Sequence, residues 1–155
     1  MPDALPLWDF PDPFVLPVTV VANDIDGFGH VNNTVYFRWL TECAWAHSAA
    51  VGLPEAACVA LRRGMAVRKV DVEILAAAYL DEALLVGNWL TAKTRLRATR
   101  TFQILNPASG VTLLRGCVDY VCVNLDSGRP VRMPPEFEAG YRATARLGDH
   151  DAPVG

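Results

Sequence analysis

The 155-residue sequence predicts an α+β domain in which one long helix is wrapped by a curved antiparallel sheet of about five strands. Three observations predict it. A β-branched apolar run, Phe14 to Ala22, precedes a single long helical stretch. Everything after Gly64 reads as strand separated by hairpin turn chemistry. Strands therefore follow the helix in a run, with no alternation of helix and strand that a parallel sheet would need.

Residues 1–13 contain Pro2, Pro6, Pro11 and Pro13 and read as an irregular arm, with Trp8 and Phe10 available to pin it. A single domain spans 14–144, and 145–155 read as a frayed tail. Phe14–Ala22 is the first strand and Asn23–Asn32 a turn. The helix starts at Asn33 or Thr34, with Asn32 or Asn33 as N-cap, and runs to Val51; Gly52 suits the left-handed position after a helix, and Pro54 prevents continuation. Tyr36, Leu40, Cys43, His47 and Val51 share one stripe, and Trp39, Ala44, Ala46 and Ala50 widen it until little of the helix is polar. Such a helix is expected to be wrapped by other structure. After a loop over Pro54–Gly64 come strands over Met65–Ala77, Leu84–Leu96, Thr99–Leu105 and Val111–Leu125. Asn106–Gly110 and Asp126–Gly128 carry turn residues, and Pro134-Pro135 can open a short helix reaching Tyr141.

Hydrophobic residues make up 52% of the chain, yet no apolar run approaches the ~20 residues of a membrane span. The excess points to apolar surface buried against a second copy of the chain. The start of the chain has neither the basic residues nor the apolar core of a signal peptide, so a cytoplasmic protein without membrane association is expected. The net charge of −3 argues against nucleic-acid binding. Cationic residues concentrate in 61–110, where eight Lys and Arg face four acids. Cys43, Cys58, Cys117 and Cys122 form no metal-ligand spacing and read as small buried hydrophobes; no metal is expected.

The richest chemistry lies in Asp24-Ile25-Asp26-Gly27-Phe28-Gly29-His30-Val31-Asn32-Asn33, followed by Tyr36, Trp39 and Glu42. It places carboxylates in a glycine-rich turn opening on a helix N-terminus, which offers unpaired N–H groups and a partial positive charge. A carboxylate beside such donors suits acyl hydrolysis, one group acting on water or carbonyl and the other holding the oxyanion. Asp26 alternatively serves as an Asx-turn residue, and Asp24 reads as an acceptor of turn N–H groups. Three look-alikes fall away. Gly27-x-Gly29-x-x-Asn32 lacks the third glycine and βαβ unit of a dinucleotide turn. Asp24-x-Asp26 lacks calcium ligands at Phe28 and Val35, and the sequon Asn32-Asn33-Thr34 is meaningful only in a secreted chain.

The pattern D-x-D-x-x-G-H-V-N-N-x-x-Y-x-x-W over Asp24–Trp39 resembles the N-terminal signature of hotdog-fold acyl-CoA thioesterases of the 4-hydroxybenzoyl-CoA thioesterase type. The resemblance extends more weakly from about Val15 to Pro135. It implies the hotdog fold, a cofactor-independent thioester hydrolase, and an acyl-CoA substrate. It implies that Asp26 attacks the thioester or activates water, and that an amide near Asn33 holds the thioester oxygen. Gly29 and Val31 enter through their backbones in the same way. It also implies homodimers with shared active sites, often paired into tetramers. His30 and Asn32 match an H-V-N-N stretch similar to plant acyl-carrier-protein thioesterases, in which a His and an Asn near here are implicated. There the Asn lies in a D-x-N-x-H pattern, whereas Gly27-Phe28-Gly29 precedes His30 here; a turn His and an N-cap Asn are the alternative. Tyr36 is either core or pocket wall. Lys93, Arg95 and Arg97 alternate along the expected second long strand, with Arg100 after them. Of these, Arg95 and Arg97 are the leading candidates to meet the phosphates of coenzyme A, with a solvated face as the alternative. Glu42 reads as an ion-pair partner of Arg38, and His47 as a satisfied core histidine. The rivals to acyl-CoA hydrolysis are hydrolysis of acyl-carrier-protein thioesters and a non-catalytic acyl-binding or assembly module on the same fold.

Overall fold

The computed structural model describes residues 7–142; the expected tail lies outside the described residues, as does the arm before Leu7. Five strands form one antiparallel sheet: β1 (Phe14–Thr19), β2 (Arg63–Ile74), β3 (Ala83–Lys93), β4 (Arg97–Asn106) and β5 (Val111–Asn124), in the order β1-β3-β4-β5-β2. Helix α1 (Asn33–Ala50) and a short α2 (Glu55–Leu61) carry the chain from β1 at one edge to β2 at the other. A last helix, α3, spans Pro135–Gly140. This is the hotdog arrangement of one long helix against a single antiparallel sheet.

Several elements end where local chemistry says they should. Asn32 Oδ1 caps α1, accepting from the Thr34 N–H at 2.9 Å, and Gly52 adopts φ +86° beyond the helix. Asn106 Oδ1 accepts from Ala108 N–H, and Asn124 Oδ1 from Asp126 N–H, in the two hairpin turns. Other elements differ from expectation. The first strand stops at Thr19, and a 3₁₀ turn over Ala22–Asp24 takes its last residues. The Pro54–Gly64 segment contains α2, only seven residues long and too short to show a helical period. Helix α1 is not wrapped all round: Tyr36, Trp39, Leu40 and Cys43 are buried, while Phe37 and Trp45 are about four-tenths exposed.

The supposed continuous strand from Leu84 to Leu96 is broken. It ends at Lys93, and Thr94 Oγ1 accepts from the Arg97 N–H to turn the chain into β4. Lys93, Arg95 and Arg97 therefore do not share one strand face. A turn built on Thr, with no Gly, Pro, Asn or Asp, gives no sequence punctuation.

The main core lies between α1 and the sheet, around Trp39, Leu40, Phe102, Ile104 and Leu114. A second cluster, with Leu53, Leu90, Phe137 and Tyr141, closes the far end. The arm packs on the sheet. Trp8 and Phe10 meet Trp89 edge-on, Trp89 Nε1 donates to the Pro11 carbonyl, and Asp9 pairs with Arg115. Cys43, Cys58 and Cys122 are buried, as expected, and Cys117 is half-buried. Among the described residues no helix is long and apolar enough to cross a membrane.

Between α1 and the sheet sits a polar cluster of His47, Asn88, Arg100, Ser48 and Tyr141. Burial, reinforced by the Arg100 charge, pushes His47 down from 6.5 to about 4. His47 is thus neutral when folded and titrates normally when unfolded. Between these two values the unfolded chain binds the extra proton, so stability is complete above 6.5 and falls as pH drops towards 4. Urea unfolding at about pH 7.5 and about pH 4.5 should show a smaller loss of midpoint in His47→Gln than in the unaltered chain. An identical loss in both would refute this role.

Candidate active site

The turn between β1 and α1 is held by Asp24. Its carboxylate is buried at 1% residue exposure, accepts from the Val21 N–H at 3.0 Å, and pairs with Arg38 at 2.9 Å. Its carbonyl accepts from the Asn32 N–H at 2.8 Å. The residue therefore ties the start of the turn to the cap of α1. Arg38 also meets Glu42 at 3.5 Å, the ordinary helical pair expected for that acid.

Asp26 occupies the next position with a different environment. It is half-buried. Its Oδ1 accepts from the Phe28 N–H at 2.9 Å, an Asx turn, while its Oδ2 meets no partner among the described residues. Its N–H donates to the His30 carbonyl at 3.1 Å, which brings the two residues together. Phe28, at the tip of the turn between Gly27 and Gly29, is 87% exposed. Gly29 takes φ +84°, a conformation that favours glycine.

The backbone donors of the turn are mostly spent. Gly29 N–H donates to the Asp26 carbonyl, and Val31 N–H to the Ala78 carbonyl. Neither amide is available to hold a substrate oxygen, although both had been expected to contribute one. Thr34 N–H is taken by the Asn32 side chain and Val35 N–H by the Asn32 carbonyl. Asn33 N–H makes no hydrogen bond among the described residues. It is a free donor at the positive end of an 18-residue helix.

Asn33 lines a cavity of about 240 Å³ together with His30, Val31 and Tyr36; the facing wall is Ile74–Ala77, where β2 ends. The structure thus gathers four of the expected site residues on one cavity. His30 is half-buried, with Nδ1 3.3 Å from the Val31 carbonyl oxygen. Tyr36 contributes a buried ring whose hydroxyl accepts from the Ala78 N–H at 3.0 Å. Asn32 points elsewhere: its Oδ1 accepts from both Thr34 N–H and Thr34 Oγ1, the work of an N-cap.

Arg95 and Arg97 stand apart from this group. Thr19, just before the turn, pairs with Ala83, whereas Arg95 lies within the turn beyond Lys93 and Arg97 opens β4 after it. The ten residue steps from Ala83 to Lys93 span about 33 Å. Sequence reading also missed the burial of Arg100, which lies 4% exposed inside the fold. The signal was present: Ala98, Arg100, Phe102 and Ile104 alternate on one face, and all are buried. Among the described residues no group of His, Cys, Asp and Glu could hold a metal ion.

The chain belongs to the Thioesterase-like superfamily, matched over residues 20–140. No curated protein matches it significantly. Solved structures share its fold. A 1,4-dihydroxy-2-naphthoyl-CoA thioesterase from Synechocystis superposes with a TM-score of 0.76 at 19% identity, covering 92% of this chain and all of that one. A hypothetical protein from Staphylococcus aureus, in complex with CoA, gives 0.78 at 16% identity, covering 83% and 81% of the two chains. A gentisyl-coenzyme A thioesterase gives 0.74 at 14% identity, covering 83% and 99%.

The two acids of the turn separate by role. Replacing Asp24 by Ala removes a charged hydrogen bond and a turn acceptor and should cost about 2 kcal/mol of stability. Asp26→Asn should change stability by no more than about 0.5 kcal/mol. Urea unfolding of both variants checks this, and equal losses would contradict the division.

Proposed function

We propose that the protein hydrolyses acyl-CoA thioesters without a cofactor, using Asp26 as nucleophile or general base and the Asn33 N–H as the oxyanion donor. The observation that carries this reading is that Asn33, whose N–H is unclaimed, lines the cavity with His30 and Tyr36 directly after a turn whose acid, Asp26, keeps one oxygen free although it does not itself line that cavity. Attack at the thioester carbonyl develops negative charge on its oxygen, and a preorganised N–H at a helix start stabilises that charge without reorganisation. As a general base, Asp26 takes a proton from water. As a nucleophile, it forms an anhydride that water then opens. Either route forms the free acid and expels the coenzyme thiolate.

Family membership and the CoA-bound neighbour support this substrate class. The D-x-D signature supports an active site of the 4-hydroxybenzoyl-CoA thioesterase type, and the two thioesterase neighbours are named for aromatic acyl groups. Carrier-protein thioesters remain the enzymatic rival. One observation favours the non-catalytic module: Asp26 Oδ1 is engaged as an Asx turn requires.

Asp26→Asn decides between catalysis and module. Its kcat should fall by ~10²-fold or more, the scale of losing a general base, with a modest change in KM. Thiol release across a panel of acyl-CoA substrates measures it. Near-unaltered turnover in a folded variant would remove Asp26 from the chemistry.

The assembly proposed is a two-fold dimer through the outer edge of β2. This edge strand runs twelve residues and exposes Val67, Val70 and Ile74, a surface that needs cover. The same strand ends at the wall of the cavity, so the partner would complete the site. Ile104 is level with Ile74 of the cavity wall, and Arg97 lies seven strand positions from it, about 23 Å along the sheet, so Arg95 and Arg97 would meet coenzyme phosphates bound at another subunit's site rather than their own. Light scattering at micromolar concentration should give at least twice the mass of one chain, and the mass of a single chain would overturn it.

A further inference from the structure

Among the described residues, Arg100 is a buried charge without a counter-charge. Its Nη1 lies 2.5 Å from His47 Nδ1 and donates to Asn88 Oδ1 at 2.8 Å; Nη2 donates to Ser48 Oγ at 3.1 Å. The guanidinium carbon stands 5.7 Å from the centroid of the Tyr141 ring. Every one of these partners is neutral, because burial holds His47 unprotonated and raises the Tyr141 hydroxyl. Among the described residues the ion pairs involve other cations, and no carboxylate reaches Arg100. Buried charges are ordinarily paired, since leaving water costs several kcal/mol per ion.

The guanidinium forms part of the wall of a cavity of about 110 Å³ beneath the C-terminal half of α1. Its walls are mostly apolar, Leu90, Ala98, Met65 and Trp45 among them, with the hydroxyls of Thr41, Ser48, Tyr120 and Tyr141 as the other polar groups of the lining residues. Tyr120 adds a hydroxyl that makes no hydrogen bond among the described residues, and burial pushes it up to about 12, so it stays a donor. One cation and an unengaged hydroxyl donor in a mostly apolar hole match one singly charged, planar acceptor carried on an apolar body. A phosphate dianion would bring more charge than the single guanidinium balances. The volume is somewhat below the ~150 Å³ of a dry cavity that holds benzene. An adjoining groove of about 450 Å³ shares Trp45, Cys58 and Met65, leaving room for a longer tail.

We propose that this cavity binds the carboxylate of a small apolar acid, with Arg100 and the Tyr120 hydroxyl on its oxygens and its body against Leu90, Ala98 and Met65. The site is separate from the one at the start of α1. The two cavities share no lining residue, and Thr41, the first α1 residue of this one, lies eight residues after Asn33, about 12 Å along the helix axis. Thioester hydrolysis would release acids of this class, but the binding does not depend on that reaction.

Calorimetric titration of the full chain with butyrate, benzoate and octanoate tests it, with benzamide as the uncharged control. The acids should bind one per chain, and benzamide at least about tenfold more weakly than benzoate, the scale of one charge-assisted hydrogen bond. Arg100→Met should weaken benzoate by at least the same factor. Because that variant removes three buried bonds and can fail to fold, Ala98→Leu provides a second arm: it keeps the guanidinium, fills the cavity, and should also abolish binding. Asp26→Asn should leave it unchanged. The proposal is overturned by equal affinity for benzoate and benzamide, or by no binding of any acid to the folded chain up to about 10 mM. Binding lost in Asp26→Asn but kept in Ala98→Leu would place the acid at the start of α1 and overturn it equally.

Discussion

The buried carboxylate of Asp24 is the constraint on which the candidate site depends. One residue accepts from Val21 N–H and Arg38 through its side chain and from Asn32 N–H through its carbonyl. Strand, turn and helix are thereby fixed relative to one another. Once Asn32 is placed, its side chain caps Thr34, and the N–H of Asn33 is left as the free donor of the first turn. The glycines then allow the chain between Asp26 and His30 to close tightly, with Gly29 at positive φ. The chemistry proposed for Asp26 rests on this scaffold: the donor is preorganised because its neighbours have already been claimed.

The sheet order extends the same logic. Because α1 and α2 carry the chain from one edge to the opposite edge, the end of β2 returns to the start of α1 and forms the wall of its cavity. The exposed edge of β2 runs up to that wall. The dimer proposed through that edge would cover part of the apolar surface that a small domain with 52% hydrophobic residues leaves outside its own core.

Much of this was legible in the residues. The cap at Asn32, the stop at Gly52, the turns over Asn106–Gly110 and Asp126–Gly128 and the strand at Phe14 all carry local signals, and the structure uses each one. The D-x-D turn was legible as a candidate site, but the division of hydrogen bonds within it was not. Which amides remain free depends on Ala78, a residue more than forty positions away that takes the Val31 N–H. The Lys93–Arg97 region misled because Thr94 turns the chain without glycine or proline, so alternating charges imitated a strand. Arg100 was grouped with Lys93, Arg95 and Arg97 in a cationic face for coenzyme phosphates or solvent, although its register with Ala98 and Phe102 put it on the inner face. Cations are rarely fully buried, so the charge of Arg100 masks the period-two pattern that places it inside.

The central claim is that the thioester carbonyl is held where α1 begins. Amide chemical shifts of the ¹⁵N-labelled protein, titrated with a non-hydrolysable acyl-CoA analogue, test it most directly. The account predicts the largest shift at the Asn33 N–H, moving in the direction of a newly formed hydrogen bond, with His30 and Tyr36 following and Val31 little changed. Shifts centred instead on Arg95–Arg97 or around Arg100, with Asn33 unmoved, would contradict it.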